Sequence, residues 1–200
     1  METIRQSPIK MMGKIEDQYL VNHVESGLPR WLIEAAFVSY LLQAVVCWTD
    51  VSLWMDAHRL AWLGGIVRTF GSMVMYIGLM RGMKSLHRPF TVWWWLVIAL
   101  NIAGFLTDSI PSISDSIGLP VAVSLMLVYL PLGSAIAFNY RGRLRKVGIW
   151  MALYILISSL LPVVVVLLFE PEQFWAYLLL EISTAAAIVV FAWVQRQVLI

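Results

Sequence analysis

Charged side chains are scarce in this chain of 200 residues. Aspartate, glutamate, lysine and arginine make up only 13% of it, whereas soluble domains average about 25%. Apolar residues make up 60%, and the mean hydropathy is +0.80. This small number of polar groups cannot cover the surface of the folded chain. Lipid must therefore solvate much of its apolar surface. The formal net charge of +2 is too small to predict a nucleic-acid partner.

Residues that carry common catalytic and cofactor chemistry are also sparse. The single cysteine, Cys47, cannot form an intramolecular disulfide. His23, His58 and His87 all fall outside the long apolar stretches, which excludes an intramembrane bis-histidine haem and leaves Ser134 without a base. We find no zinc-binding or phosphate-binding motif and predict no cofactor. An enzyme that acts on lipid-linked substrates is therefore the least supported function.

Six apolar stretches are each long enough to cross about 30 Å of hydrocarbon as an α-helix. They predict an all-α integral membrane protein, a bundle of about six transmembrane helices that forms one domain over residues 31–194. The predicted spans are Trp31–Trp48, Leu60–Met80, Phe90–Thr107, Ile117–Phe138, Gly148–Phe169 and Phe174–Val194.

The segments between these spans alternate in charge, which predicts the topology. Two of them carry only basic residues and two only acidic residues. Basic loops stay in the cytoplasm, so both termini should be cytoplasmic in a multi-pass protein of the cell membrane, with residues 195–200 as a cytoplasmic tail. The charged residues are Arg81, Lys84 and Arg88, then Asp108 and Asp115, then Arg141, Arg143, Arg145 and Lys146, then Glu170 and Glu172.

The N-terminal segment, residues 1–30, has the pattern of an amphipathic element. Ser7-Pro8 is a typical helix start and Gly27-Leu28-Pro29 a typical stop. Apolar residues recur between them at helical spacing, which predicts a short helix on the cytoplasmic membrane surface. A docking surface for a partner protein is the alternative.

Ionisable residues inside the spans are costly and mark candidate functional sites. Glu34 lies near the cytoplasmic end of the first span, while Arg68 and Glu181 both lie roughly 10–12 Å below the outer surface at about 1.5 Å per residue. Other spans contribute polar residues near that level. We predict a polar layer that comprises Arg68, Glu181, Asn101, Gln43, Ser124 and Ser159.

A stripe of glycines indicates which way Arg68 faces. Gly64, Gly71 and Gly78 repeat at seven-residue intervals, and small residues let helix backbones approach closely in lipid. Arg68 shares this face, so it should meet protein and pair with Glu181 at matched depth. Such a pair could also serve only to fasten two helices together.

These patterns favour a small transporter or channel-type component that handles a small polar or ionic solute, such as an anion, through the layer around Arg68 and Glu181. The alternative is a non-transporting interaction subunit that binds another membrane protein or a second copy, for assembly, regulation, immunity or exclusion. The first function requires a cavity, whereas the second requires only a closed bundle.

Overall fold

The computed structural model describes residues 19–53, 58–109, 111–168 and 174–200. Over these residues the chain is all-α apart from one pair of two-residue strands, which confirms the all-α part of the predicted fold class. The elements in chain order are β1 (Tyr19–Leu20), α1 (Arg30–Leu53), α2 (His58–Met83), α3 (Thr91–Ser109), α4 (Pro111–Asn139), β2 (Tyr140–Arg141), α5 (Arg143–Leu168) and α6 (Phe174–Leu199).

The six helices form a closed ring in chain order. Each helix packs against the next one along the chain, α6 returns to pack against α1, and α2 also contacts α6 across the ring. Among the described residues, three helical segments are long and apolar enough to cross a membrane, namely Leu119–Asn139, Arg143–Leu161 and Ile182–Leu199. Thr91–Thr107 of α3 is a shorter apolar segment.

Large apolar side chains cover much of the outer surface of the ring. Leu127, Phe138 and Leu167 are each at least two-thirds exposed, and Trp95 is 57% exposed. A soluble bundle of this size would bury most of these side chains or present polar ones at these positions. The outer surface is therefore suited to a lipid environment.

Two helix backbones approach closely between α4 and α5, where Gly133 faces Gly148. A Cβ atom on Gly148 would lie 2.5 Å from the Gly133 carbonyl oxygen and 2.7 Å from the backbone nitrogen of Ala137. One on Gly133 would lie 2.7 Å from the Gly148 carbonyl oxygen. Only glycine allows the two backbones to approach this closely.

The glycine stripe of α2 also meets protein. A Cβ atom on Gly71 would lie 2.9 Å from the Ala36 carbonyl oxygen of α1, and one on Gly78 would contact Leu28 and Leu199. The packing of Gly64 lies outside the described part of the chain. The glycine stripe therefore faces α1 at Gly71. At Gly78 it faces Leu28, which precedes α1, and Leu199 at the end of α6.

Residues 19–29, which we call the N-terminal strap, are not helical. The prediction of a helix that continues to Gly27 is therefore wrong for this part, while residues 1–18 lie outside the described residues. β1 pairs in parallel with β2, with Tyr19 opposite Tyr140. The Val21 amide then donates to the Arg141 carbonyl at 3.0 Å, and the Leu144 amide donates to the Val21 carbonyl at 3.1 Å. These bonds satisfy strap backbone groups that a helix would have satisfied internally.

The strap closes one end of the ring. Its Val24 is only 3% exposed, contacts the position of Gly82 on α2, and donates its amide to the Val198 carbonyl of α6 at 3.0 Å. Residues 195–199, which fall within the predicted cytoplasmic tail, form the end of α6. Gln195 and Val198 are both fully buried there.

Candidate functional site

A small polar cavity lies inside the ring, and we call it the Arg68 pocket. Its volume is about 10 Å³. The side chains that line it come from α1, α2, α3, α5 and α6, namely Tyr40, Arg68, Ser72, Tyr76, Asn101, Tyr154, Ile188 and Phe191. A cavity of this volume has room for about one water molecule, and its lining residues Arg68, Asn101 and Tyr154 are only partly buried.

Three residues from three helices form a hydrogen-bonded chain at this pocket. The Asn101 side-chain amide of α3 donates to the Tyr129 hydroxyl of α4 at 2.7 Å. The Tyr129 hydroxyl in turn donates to the Tyr76 hydroxyl of α2 at 2.8 Å. Tyr76 and Tyr129 are both almost fully buried. Since an unpaired buried hydroxyl is costly, this chain fixes the relative positions of three helices.

The α2 contribution follows from helix geometry. Arg68, Ser72 and Tyr76 are spaced four residues apart, so they lie on one face of the helix. The Ser72 hydroxyl donates to the Thr69 carbonyl at 3.0 Å. This face presents a cation, a small hydroxyl and a phenol in succession towards the ring interior.

Most of the described lining side chains carry hydrogen-bonding groups, and several of their donors are already used within the protein. The Asn101 amide donates to the Val97 carbonyl and to the Tyr129 hydroxyl, both at 2.7 Å, and the Ser72 hydroxyl is bonded to the Thr69 carbonyl. The described lining also includes the Arg68 guanidinium and the hydroxyls of Tyr40 and Tyr76. A guanidinium and hydroxyls are groups that bind a small polar solute or an anion that accepts hydrogen bonds.

Aromatic stacking supports the inner wall of the pocket. The Tyr154 ring of α5 stacks on the Phe191 ring of α6, with centroids 5.5 Å apart and an interplanar angle of 16°. Phe191 also contacts Tyr76, with ring centroids 6.4 Å apart. The rings hold α2, α5 and α6 together beside the polar groups.

The predicted polar layer is only partly gathered at this pocket. Arg68 and Asn101 line the pocket. Gln43 is buried on α1 one turn beyond Tyr40, which lines the pocket, and Ser124 is half-buried on α4 outside the lining. Ser159 is half-buried on α5 and also outside the lining. The side chain of Glu181 lies outside the described part of the chain, so its predicted pairing with Arg68 stays a prediction.

Glu34 is not one of the residues that line the pocket, and it forms an ion pair with Arg196 near the strap end of the ring. Two nitrogens of the Arg196 guanidinium donate to the two Glu34 carboxylate oxygens, both at 2.7 Å. The same guanidinium lies 5.4 Å from the centroids of the Phe37 and Trp193 rings. A bidentate pair beside two rings fastens α1 to α6 where the ring closes.

Sequence reasoning missed the tyrosines of the site. Tyr40, Tyr76, Tyr129 and Tyr154 were counted with the apolar residues, although tyrosines in membrane proteins concentrate at the interfaces. All four lie well inside helices, where each hydroxyl needs a polar neighbour. The position of these tyrosines near the middle of predicted spans could therefore have indicated a buried polar site.

No protein-family model, no curated protein sequence and no solved structure matches this chain. The interpretation of its function therefore rests on the chemistry of its own residues.

Proposed function

We propose that this chain is a six-span protein of the cell membrane that handles a small polar or ionic solute at the Arg68 pocket. The observation that carries the proposal is the pocket itself. Polar side chains from α1, α2, α3 and α5 converge on one small cavity inside a ring whose outer surface is apolar. Polar and charged groups in such an environment are costly and typically functional.

The six-span topology is supported by the length of the helices and the charges between them. All six helices are at least 19 residues long, which is about the length that crosses the hydrocarbon core. The two purely basic loops, at Arg81–Arg88 and Arg141–Lys146, lie at the same end of the ring as the strap. The positive-inside rule places this end, with both termini, in the cytoplasm.

This topology predicts the result of cysteine labelling in intact cells. In a Cys47→Ser background, Ser112→Cys and Gln173→Cys should react with a membrane-impermeant thiol reagent, because Ser112 lies in the first turn of α4 and Gln173 directly precedes α6 in the sequence, both on the proposed outer side. Ser85→Cys should react only after the cells are opened. Gly142 is unsuitable as an inner position, because its φ is +79° and a side chain there would meet Asn22. Labelling of Ser85→Cys from outside would reverse the orientation.

A non-transporting interaction subunit is the second candidate function. The observation that favours it is the size of the cavity, since about 10 Å³ is far below the roughly 300–1,000 Å³ of typical small-molecule sites. A subunit that only binds another membrane protein would keep the ring closed. A solute-handling protein must open it to water.

Water access to Ser72 separates the two functions. Ser72 lines the pocket and is 3% exposed, and cysteine is close to serine in size. If the pocket opens during a transport cycle, Ser72→Cys in native membranes should react with a charged methanethiosulfonate reagent, because only a water-exposed thiolate reacts with it. The measurement is the labelled fraction against time.

Leu96→Cys on α3 is the matched control, because Leu96 is exposed on the apolar outer surface and should face lipid. We expect Leu96→Cys to stay unlabelled while Ser72→Cys reacts. If Ser72→Cys reacts no faster than Leu96→Cys, the pocket stays closed and the interaction-subunit proposal replaces the transport proposal.

A further inference from the structure

The strap end of the ring carries a dense basic surface. It is formed by the α2–α3 loop and by the segment from β2 into the first turn of α5. Neither residues 81–90 nor residues 139–150 contain an acidic residue. The exposed cations are Arg81, Lys84, Arg88, Arg141, Arg143, Arg145 and Lys146.

Hydrogen bonds join the two basic segments into one surface. The Arg88 amide donates to the Tyr140 hydroxyl at 3.2 Å, and that hydroxyl donates to the Arg88 carbonyl at 2.8 Å. The Arg88 guanidinium also donates to the Asn139 side-chain oxygen at 2.6 Å. Burial raises the pKa of the Tyr140 hydroxyl, so it stays protonated and keeps both roles. Cations from segments 52 residues apart are thus held side by side.

Exposed aromatic residues lie directly beside these cations. Trp93 and Trp95 are exposed in the first turns of α3, shortly after Arg88, and Phe138 is 74% exposed next to Asn139. Tryptophan and basic residues are found together at the headgroup level of a bilayer, where rings contact acyl chains and cations contact phosphate. A purely aqueous ligand would leave these rings in water.

We infer that this basic surface binds the phosphate groups of anionic phospholipids in the leaflet it faces. The arginines offer forked donors that match phosphate oxygens, and the lysines add point charges. The inference rests on the membrane embedding in the proposed function and not on solute handling. A chain without transport activity would bind the same lipids.

Titration of the full-length chain in detergent micelles tests the inference. Native mass spectrometry would count bound phosphatidylglycerol or phosphatidylcholine as each lipid is added. We expect phosphatidylglycerol to bind more tightly. The triple variant Lys84→Gln, Arg145→Gln and Lys146→Gln should weaken its binding about fivefold for each cation removed. None of these side chains is needed for the bonds between Arg88, Asn139 and Tyr140 described above.

Arg59→Gln is the control, because Arg59 lies near the start of α2, at the opposite end of that helix. It should leave phosphatidylglycerol binding unchanged. Equal binding of the two lipids, or an unchanged affinity in the triple variant, would overturn the inference. Inorganic phosphate forms a separate arm of the experiment. If millimolar phosphate displaces phosphatidylglycerol completely, the surface is a site for a soluble anion and the lipid assignment is wrong.

Discussion

Gly148→Ala is expected to destabilise the folded chain by about 1–3 kcal/mol, although it adds only one methyl group. That methyl group would lie 2.5 Å from the Gly133 carbonyl oxygen and 2.7 Å from the Ala137 nitrogen. Both neighbours are backbone atoms of α4, so no side-chain rotation can relieve the overlap. The helices must separate, and the α4–α5 contact loses its close packing. The midpoint of SDS-induced unfolding in mixed micelles, followed by tryptophan fluorescence, measures the effect.

Gly104→Ala is the matched control for this variant. A Cβ atom there meets only a side-chain carbon of Leu125, at 3.9 Å, which is an ordinary contact. Replacing a helical glycine by alanine without strain is stabilising by roughly 0.5–1 kcal/mol, so Gly104→Ala should unfold at the same or a higher SDS concentration. If the two variants unfold alike, the backbones of α4 and α5 are not in close contact at Gly148.

The helical content was predictable because apolar stretches long enough for a bilayer leave few alternatives to helix. The neighbours of each helix were harder to predict. The glycine stripe of α2 indicated a packed face, and Gly71 indeed meets α1. The stronger signal was overlooked. Gly133 with Ala137, and Gly148 with Ala152, form small-residue pairs at four-residue spacing on two consecutive helices.

The candidate site was predictable in part, and the missed part has a physical explanation. Depth along a helix places Arg68 and Asn101 at one level, but depth does not give rotation about the helix axis. Ser124 therefore satisfies the depth criterion and still lies outside the lining, whereas Gln43 is buried one turn further along α1 than Tyr40, which lines the pocket. Tyrosine was missed because its ring is apolar and its hydroxyl is polar, and a hydropathy pattern registers mainly the ring.

The strap was not predictable from helical periodicity alone. Its apolar residues Val21 and Val24 are buried against the ends of α5, α6 and α2, and these ends come together only once the ring has closed. The same closure brings Glu34 to Arg196 across more than 160 residues of sequence. Long-range contacts of this kind depend on the order of helices around the ring, which no local pattern encodes.

Removal of either member of the predicted Arg68–Glu181 pair is expected to cost about 3–5 kcal/mol, because it leaves the other charge buried without its partner. Arg68→Met and Glu181→Leu should each lower the midpoint of SDS-induced unfolding. The double variant removes both charges while it keeps side-chain volume, so it should recover most of the lost stability. Arg68→Met also removes a donor from the pocket, but that loss is present in the single and the double variant alike. It therefore cancels in the coupling energy.

The ion pair between Glu34 and Arg196 provides the matched control cycle. Its side chains are 33% and 25% exposed, so water can solvate a stranded charge there. Glu34→Leu and Arg196→Met should therefore show a smaller coupling than the pair at Arg68, towards the range of about 0–1 kcal/mol found for exposed pairs. A large coupling at Arg68 beside a small one at Arg196 would indicate a buried pair shielded from water. If the coupling at Arg68 is near zero, the two residues do not pair, and the prediction that Glu181 shares a polar layer with Arg68 is wrong.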